Sequence, residues 1–168
     1  MTKRWLHSSL MVLFLLALTG FSITEGKDRK SRKFEAELDG FQETPSTLSS
    51  PARGEFEAHL VSDNTIEFEL TYSGFQTAAL VAHIHLGRPA TTGGVIAFLC
   101  GGGGKPACPQ GSGTVTGTIT PADVVGPAAQ GIAPGEFDEF VAALRAEATY
   151  ANVHSAAYPG GEIRGAIE

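Results

Sequence analysis

At 168 residues, with 42% apolar content, the chain has room for one ordinary domain with one core, and its 21 glycines sit among too many apolar residues to signal disorder. The formal charge of −6 hides an uneven distribution: Lys27, Arg29, Lys30, Arg32 and Lys33 stand against only Glu25 and Asp28, whereas from Phe34 onward 5 Lys and Arg face 16 Asp and Glu. An acidic body excludes nucleic acid as a partner, because neutralising phosphates needs clustered cations.

The N-terminus reads Lys3 and Arg4, then an apolar run from Leu10 to Leu18, then the small residues Gly20 and Ser22. That is the charged, greasy and small-residue succession of a secretory signal over residues 1–22, too short in its apolar part for a spanning helix of roughly 20 residues. Residues 23–33 read as a flexible basic segment, and one domain is expected over 34–168. Export follows as an expectation, to a secreted, periplasmic or cell-surface location, with no membrane partner after cleavage.

Beyond the basic segment, two-residue alternation dominates. Phe34, Ala36 and Leu38 alternate with Glu35, Glu37 and Asp39, and Phe56, Ala58 and Leu60 with Glu55, Glu57 and His59. Ile66, Phe68, Leu70 and Tyr72 repeat the pattern, with Ser62, Asp63 and Asn64 as a hairpin turn between the second and third runs. In Ala79 to Leu86 the alternation puts Leu80, Ala82, Ile84 and Leu86 on one face and Val81, His83 and His85 on the other. Val95 to Cys100 suits a strand buried on both faces, and Thr114 to Ile119 is β-branched on either side of Gly117. A short turn is expected at Pro121 to Val125. Phe137, Phe140, Val141 and Leu144 fall at helical spacing behind Pro134 and Gly135, which predicts one amphipathic helix over Phe137 to Ala146. Strands return at Thr149 to His154 and Glu162 to Ile167 around a Pro159–Gly160–Gly161 turn. The succession predicts a mainly β fold, an antiparallel Greek-key β-sandwich or barrel with one short amphipathic helix.

Cys100 and Cys108 flank Gly101 to Gly104, and after export they are expected to pair in a disulfide. The competing reading as thiolate metal ligands lacks a CxxC spacing or a nearby His. No Gly-x-Ser-x-Gly elbow is present, and the glycine run lacks the Gly-Lys-Ser/Thr ending of a phosphate loop, so neither a serine nucleophile nor a nucleotide site is proposed.

Four segments together resemble chordin-type (CHRD) domains: Gly40-Phe41-Gln42-Glu43-Thr44-Pro45, Ala82-His83-Ile84-His85-Leu86-Gly87, Tyr150-Ala151-Asn152-Val153-His154-Ser155 and Pro159-Gly160-Gly161-Glu162-Ile163-Arg164-Gly165. The resemblance implies a β-barrel or immunoglobulin-like fold in an exported protein, and a binding or structural module with no settled catalytic activity. Its expected partner is an extracellular protein, a matrix component or a second copy of the chain. None of the cysteine-rich modules that accompany the domain in chordin is present, so growth-factor antagonism is not implied.

His83 and His85 share a strand face, and a neighbouring strand carrying His154 would bring three imidazoles to the distances that copper or zinc requires. A metal-binding or redox protein is therefore the alternative function. The alternative role for these histidines is hydrogen bonding to Glu162, Asn152 or backbone carbonyls. The His-x-His strand with a distant His is similar to copper–zinc superoxide dismutase, but the other ligands of that metal pair are not recognisable, and no catalytic residue is assigned. Glu162 and Arg164 are expected either to pair with each other or, with Asn152, to orient an imidazole. Gln42 and Glu43 are candidates for a carboxylate near the same end, and His59, among Glu55 and Glu57, is expected to be solvated.

Overall fold

The computed structural model describes residues 32–168. The signal at 1–22 and most of the basic segment at 23–33 lie outside the described residues. Lys33, assigned to that segment, opens the first strand.

Eight strands follow the alternating runs: β1 Lys33–Asp39, β2 Arg53–Ser62, β3 Thr65–Ser73, β4 Ala79–Leu86, β5 Val95–Cys100, β6 Gly113–Ile119, β7 Thr149–Ser155 and β8 Ile163–Ile167. They form one antiparallel sheet in the order β5-β4-β7-β8-β1-β2-β3-β6. The chain leaves β3 near one edge and enters β4 near the other, a Greek-key crossover, and the unpaired edges of β5 and β6 leave the curled sheet one ladder short of a closed barrel. The mainly β barrel or sandwich is therefore present, with one α-helix among the described residues, α1 at Phe137–Arg145.

Alternation decides which side chains fill the interior. Phe34, Phe56, Ile66, Leu70 and Tyr72 are at most 1% exposed, while the Glu residues between them face water. Helix α1 buries Phe137, Phe140, Val141 and Leu144, and its acidic first turn (Asp138, Glu139) and basic last turn (Arg145) suit the helix dipole. The close approach of β8 to β1 needs Gly165, because a Cβ there would stand 2.3 Å from the Glu37 carbonyl oxygen.

One core expectation fails. Leu80 is 49% exposed, because the β4·β7 register passes from Ala79↔Ser155 to Val81↔His154 and makes Leu80 the extra residue of a bulge. Past the bulge the expected alternation resumes, with Ala82 and Ile84 inside.

Candidate metal centre

Strand pairing brings the three histidines together. β4 and β7 align Val81↔His154, His83↔Asn152 and His85↔Tyr150, so His83, His85 and His154 share one face across two adjacent strands. Ring centroids lie 4.4 Å apart for His83 and His85, 4.6 Å for His83 and His154, and 6.4 Å for His85 and His154. One ring nitrogen from each falls within 4.8 Å of the others. Metal–nitrogen bonds of 2.0–2.1 Å at tetrahedral angles would hold such nitrogens about 3.4 Å apart, so the three would have to draw closer to share an ion.

Hydrogen bonding orients two of the rings. His85 Nδ1–H donates to the Gly93 carbonyl at 2.9 Å, and His154 Nδ1–H donates to the Pro159 carbonyl at 2.9 Å. A carbonyl can only accept, so each Nδ1 carries the proton and each Nε2 keeps its lone pair. His85 Nε2, His154 Nε2 and His83 Nδ1 are buried without any hydrogen-bond partner. Burial pushes the His83 pKa down to about 3, helped by the neighbouring His85 and His154. It takes His85 down to about 4 against the pull of the Gly93 carbonyl, and lowers His154 as well. All three rings are thus neutral at neutral pH, the form that donates to a metal without first losing a proton.

Aromatic walls enclose the cluster. Phe98 packs edge-on to His83 at 5.4 Å, and Tyr150 stacks on His85 at 4.6 Å with 6° between planes. The Arg164 guanidinium covers the other Tyr150 face, its carbon 3.5 Å from the ring centroid. The Gly93 N–H donates to the Tyr150 hydroxyl at 3.2 Å, so the residue whose carbonyl fixes His85 is itself held by the ring stacked on His85.

The expected supporting residues are near but engaged differently. Asn152 donates to Glu43 Oε1 at 2.7 Å and to the Ile163 carbonyl at 2.8 Å. Arg164 donates to the Arg88 and Thr91 carbonyls and to the Thr44 hydroxyl, while Glu162 accepts from the Ser50 hydroxyl at 2.6 Å. No Glu162–Arg164 ion pair occurs among the described residues. The groups that orient imidazoles are backbone carbonyls, which no side-chain pattern announces. Glu43 does converge on this region, 6% exposed, and burial raises its pKa against the opposing effects of Asn152 and Arg164. Gln42 instead donates to the Glu37 carbonyl.

Cys100 and Cys108 are joined in a disulfide and supply no metal ligand. His59 is exposed beside Glu57, 2.7 Å from its carboxylate. The outer face of β1, β2 and β3 sets Glu35 opposite Glu57, Glu37 opposite Glu55 and Glu57 opposite Glu69, with Lys33 Nζ between Glu35 and Glu57. Among the described residues no helix is long and apolar enough to cross a membrane.

Searches of curated proteins and of solved structures return no match. The family model for the CHRD domain matches residues 34–167, which spans every strand apart from the first residue of β1 and places the histidine-bearing β4 and β7 inside one family unit. The chain belongs to the CHRD domain family.

Proposed function

We propose that this protein is an exported CHRD module that holds one copper or zinc ion between His83, His85 and His154. The observation that carries the reading is the convergence of one ring nitrogen from each histidine within 4.8 Å, in three residues that each hold a buried ring nitrogen with no hydrogen-bond partner. A buried polar atom left unpaired costs about 1–3 kcal/mol, and one ion bound by all three histidines would supply the partner that each lacks. Three neutral imidazoles suit first-row divalent ions and leave a fourth position for water or a small exogenous ligand. The disulfide and the N-terminal signal pattern favour an exported location.

Calorimetric titration of tag-free, metal-free protein with zinc and with copper tests the reading. One ion per chain is expected at micromolar concentration, with binding lost in His83→Ala and kept in His59→Ala. Absence of binding, or equal binding by His83→Ala, would sink it.

The acidic outer face favours a second, compatible role as an interaction module. Like charges placed directly opposite across strands are destabilising, so the Glu35–Glu57, Glu37–Glu55 and Glu57–Glu69 pairs favour a cationic surface on an extracellular protein, a matrix component or another copy of the chain. Association that ignores ionic strength would count against this role.

A further inference from the structure

The glycine-rich loop closed by the disulfide packs on the candidate metal centre. Phe98 lies two residues before Cys100 in β5, and the loop that follows folds back over its ring. A Cβ at Gly102 would stand 2.6 Å from Phe98 Cδ1 and Cε1, and one at Gly103 would stand 2.6 Å from Cδ2. Bare backbone therefore grips opposite edges of one aromatic ring, and any side chain at either position would displace it. Gly101 makes a second close approach, since its Cβ would fall 2.0 Å from the Leu80 carbonyl oxygen at the β4 bulge.

The loop is anchored as well as closed. Gly101 N–H donates to the Pro106 carbonyl at 2.7 Å, and Lys105 N–H to the Gly102 carbonyl at 2.9 Å. Lys105 Nζ bonds the Thr118 carbonyl and pairs with Asp123, tying the loop to β6 and the turn beyond it. Phe98 transmits the grip to the site: it pairs with His83 across β4·β5 and sets its ring edge-on to that imidazole, whose Nδ1 is unpartnered. Contact thus runs without a break from the disulfide through the glycine backbone to Phe98 and His83, with a parallel route through Leu80 into β4.

Resting on the three-histidine reading, we infer that the Cys100–Cys108 disulfide sets the affinity of that centre, so that the ion is held tightly only by the oxidised chain. Breaking the S–S bond takes two electrons and two protons from a dithiol, which itself becomes a cyclic disulfide, and leaves two thiols. Four consecutive glycines then lose their covalent closure and gain more backbone freedom than any other residues would. Phe98 loses its clamp, and His83 loses the apolar wall that keeps water from its ring. Cys100 and Cys108 are at most 4% exposed, which shields the bond in the folded protein. The dependence therefore acts when the site is first assembled: loading waits for oxidation, and an oxidising compartment is where the ion is acquired.

Zinc affinity, measured by competition with a chromophoric chelator on metal-free protein, tests the inference. The forms compared are oxidised wild type, the Cys100→Ser/Cys108→Ser double variant, Phe98→Leu and Gly102→Ala. The double variant has no thiolate that could bind zinc itself, and the two single variants keep the disulfide in case the double variant fails to fold. The dissociation constant is expected to rise about tenfold or more in each altered form that keeps the wild-type β circular-dichroism spectrum. If oxidised wild type binds and the folded variants bind equally well, the coupling is refuted while the metal site stands. No binding by oxidised wild type refutes both.

Discussion

Acid destabilises the metal-free protein through three histidines that the fold keeps uncharged. An unfolded imidazole titrates near 6.5, whereas burial takes His83 to about 3 and His85 to about 4 and lowers His154 as well. As pH falls through 6.5 the unfolded chain takes up protons first, so stability is full above that value and declines until the folded pKa values are reached. At about pH 5 the unfolded state has gained from roughly 1.5 pH units of protonation, which is about 2 kcal/mol for each of His83 and His85 and about 4 kcal/mol for the two, with His154 adding in the same direction. That is comparable with the total stability of about 5–15 kcal/mol of ordinary domains. Glu43 acts in the opposite sense, because burial raises its pKa and the fold gains as it protonates. A His83→Gln variant separates the two effects, since the amide stays polar and never titrates. Urea unfolding of both proteins at about pH 7.5 and pH 5, without metal, should show wild type losing about 2 kcal/mol more than the variant. Equal losses would show that His83 is not held neutral by burial. The same depression carries proton competition for the metal below the pH of about 6 that free imidazoles would give.

Tyr150→Phe keeps the stack on His85 but leaves the Gly93 N–H without its acceptor. Denaturant unfolding should show a cost of about 1–2 kcal/mol, and zinc titration about tenfold weaker binding. Ser50→Ala removes the hydroxyl bonded to Glu162 Oε1 while Oε2 already lacks a partner, so unfolding should cost about 2–3 kcal/mol with zinc affinity unchanged. Glu55→Lys replaces a like-charge pair with Glu37 by an opposite one, and thermal melts should rise by the equivalent of about 0.2–1 kcal/mol, less at high salt.

Period-two alternation carried most of the fold because one face of each strand packs on a single core and water covers the other. The β4 and β5 runs, Ala79 to Leu86 and Val95 to Cys100, are the observed strands end to end. Leu80 escaped that logic because a bulge depends on the partner strand, which alternation along one strand does not contain. His83 and His85 were legible as a pair for the same local reason, and His154 because the resemblance marked its strand. The Gly93 and Pro159 carbonyls that fix the imidazoles were not legible, since every residue has a carbonyl and only tertiary placement selects two of them. For Tyr150 a signal exists in the sequence: it stands four residues before His154, on the same strand face. Phe98 read only as one apolar residue in a buried run.

Crystals of tag-free protein grown with zinc, with diffraction recorded on both sides of the zinc absorption edge, test the metal centre most directly. The account predicts one anomalous peak per chain, within about 2.1 Å of a ring nitrogen from each of His83, His85 and His154. An empty centre, or zinc found only beside exposed groups such as His59 and Glu57, would contradict it.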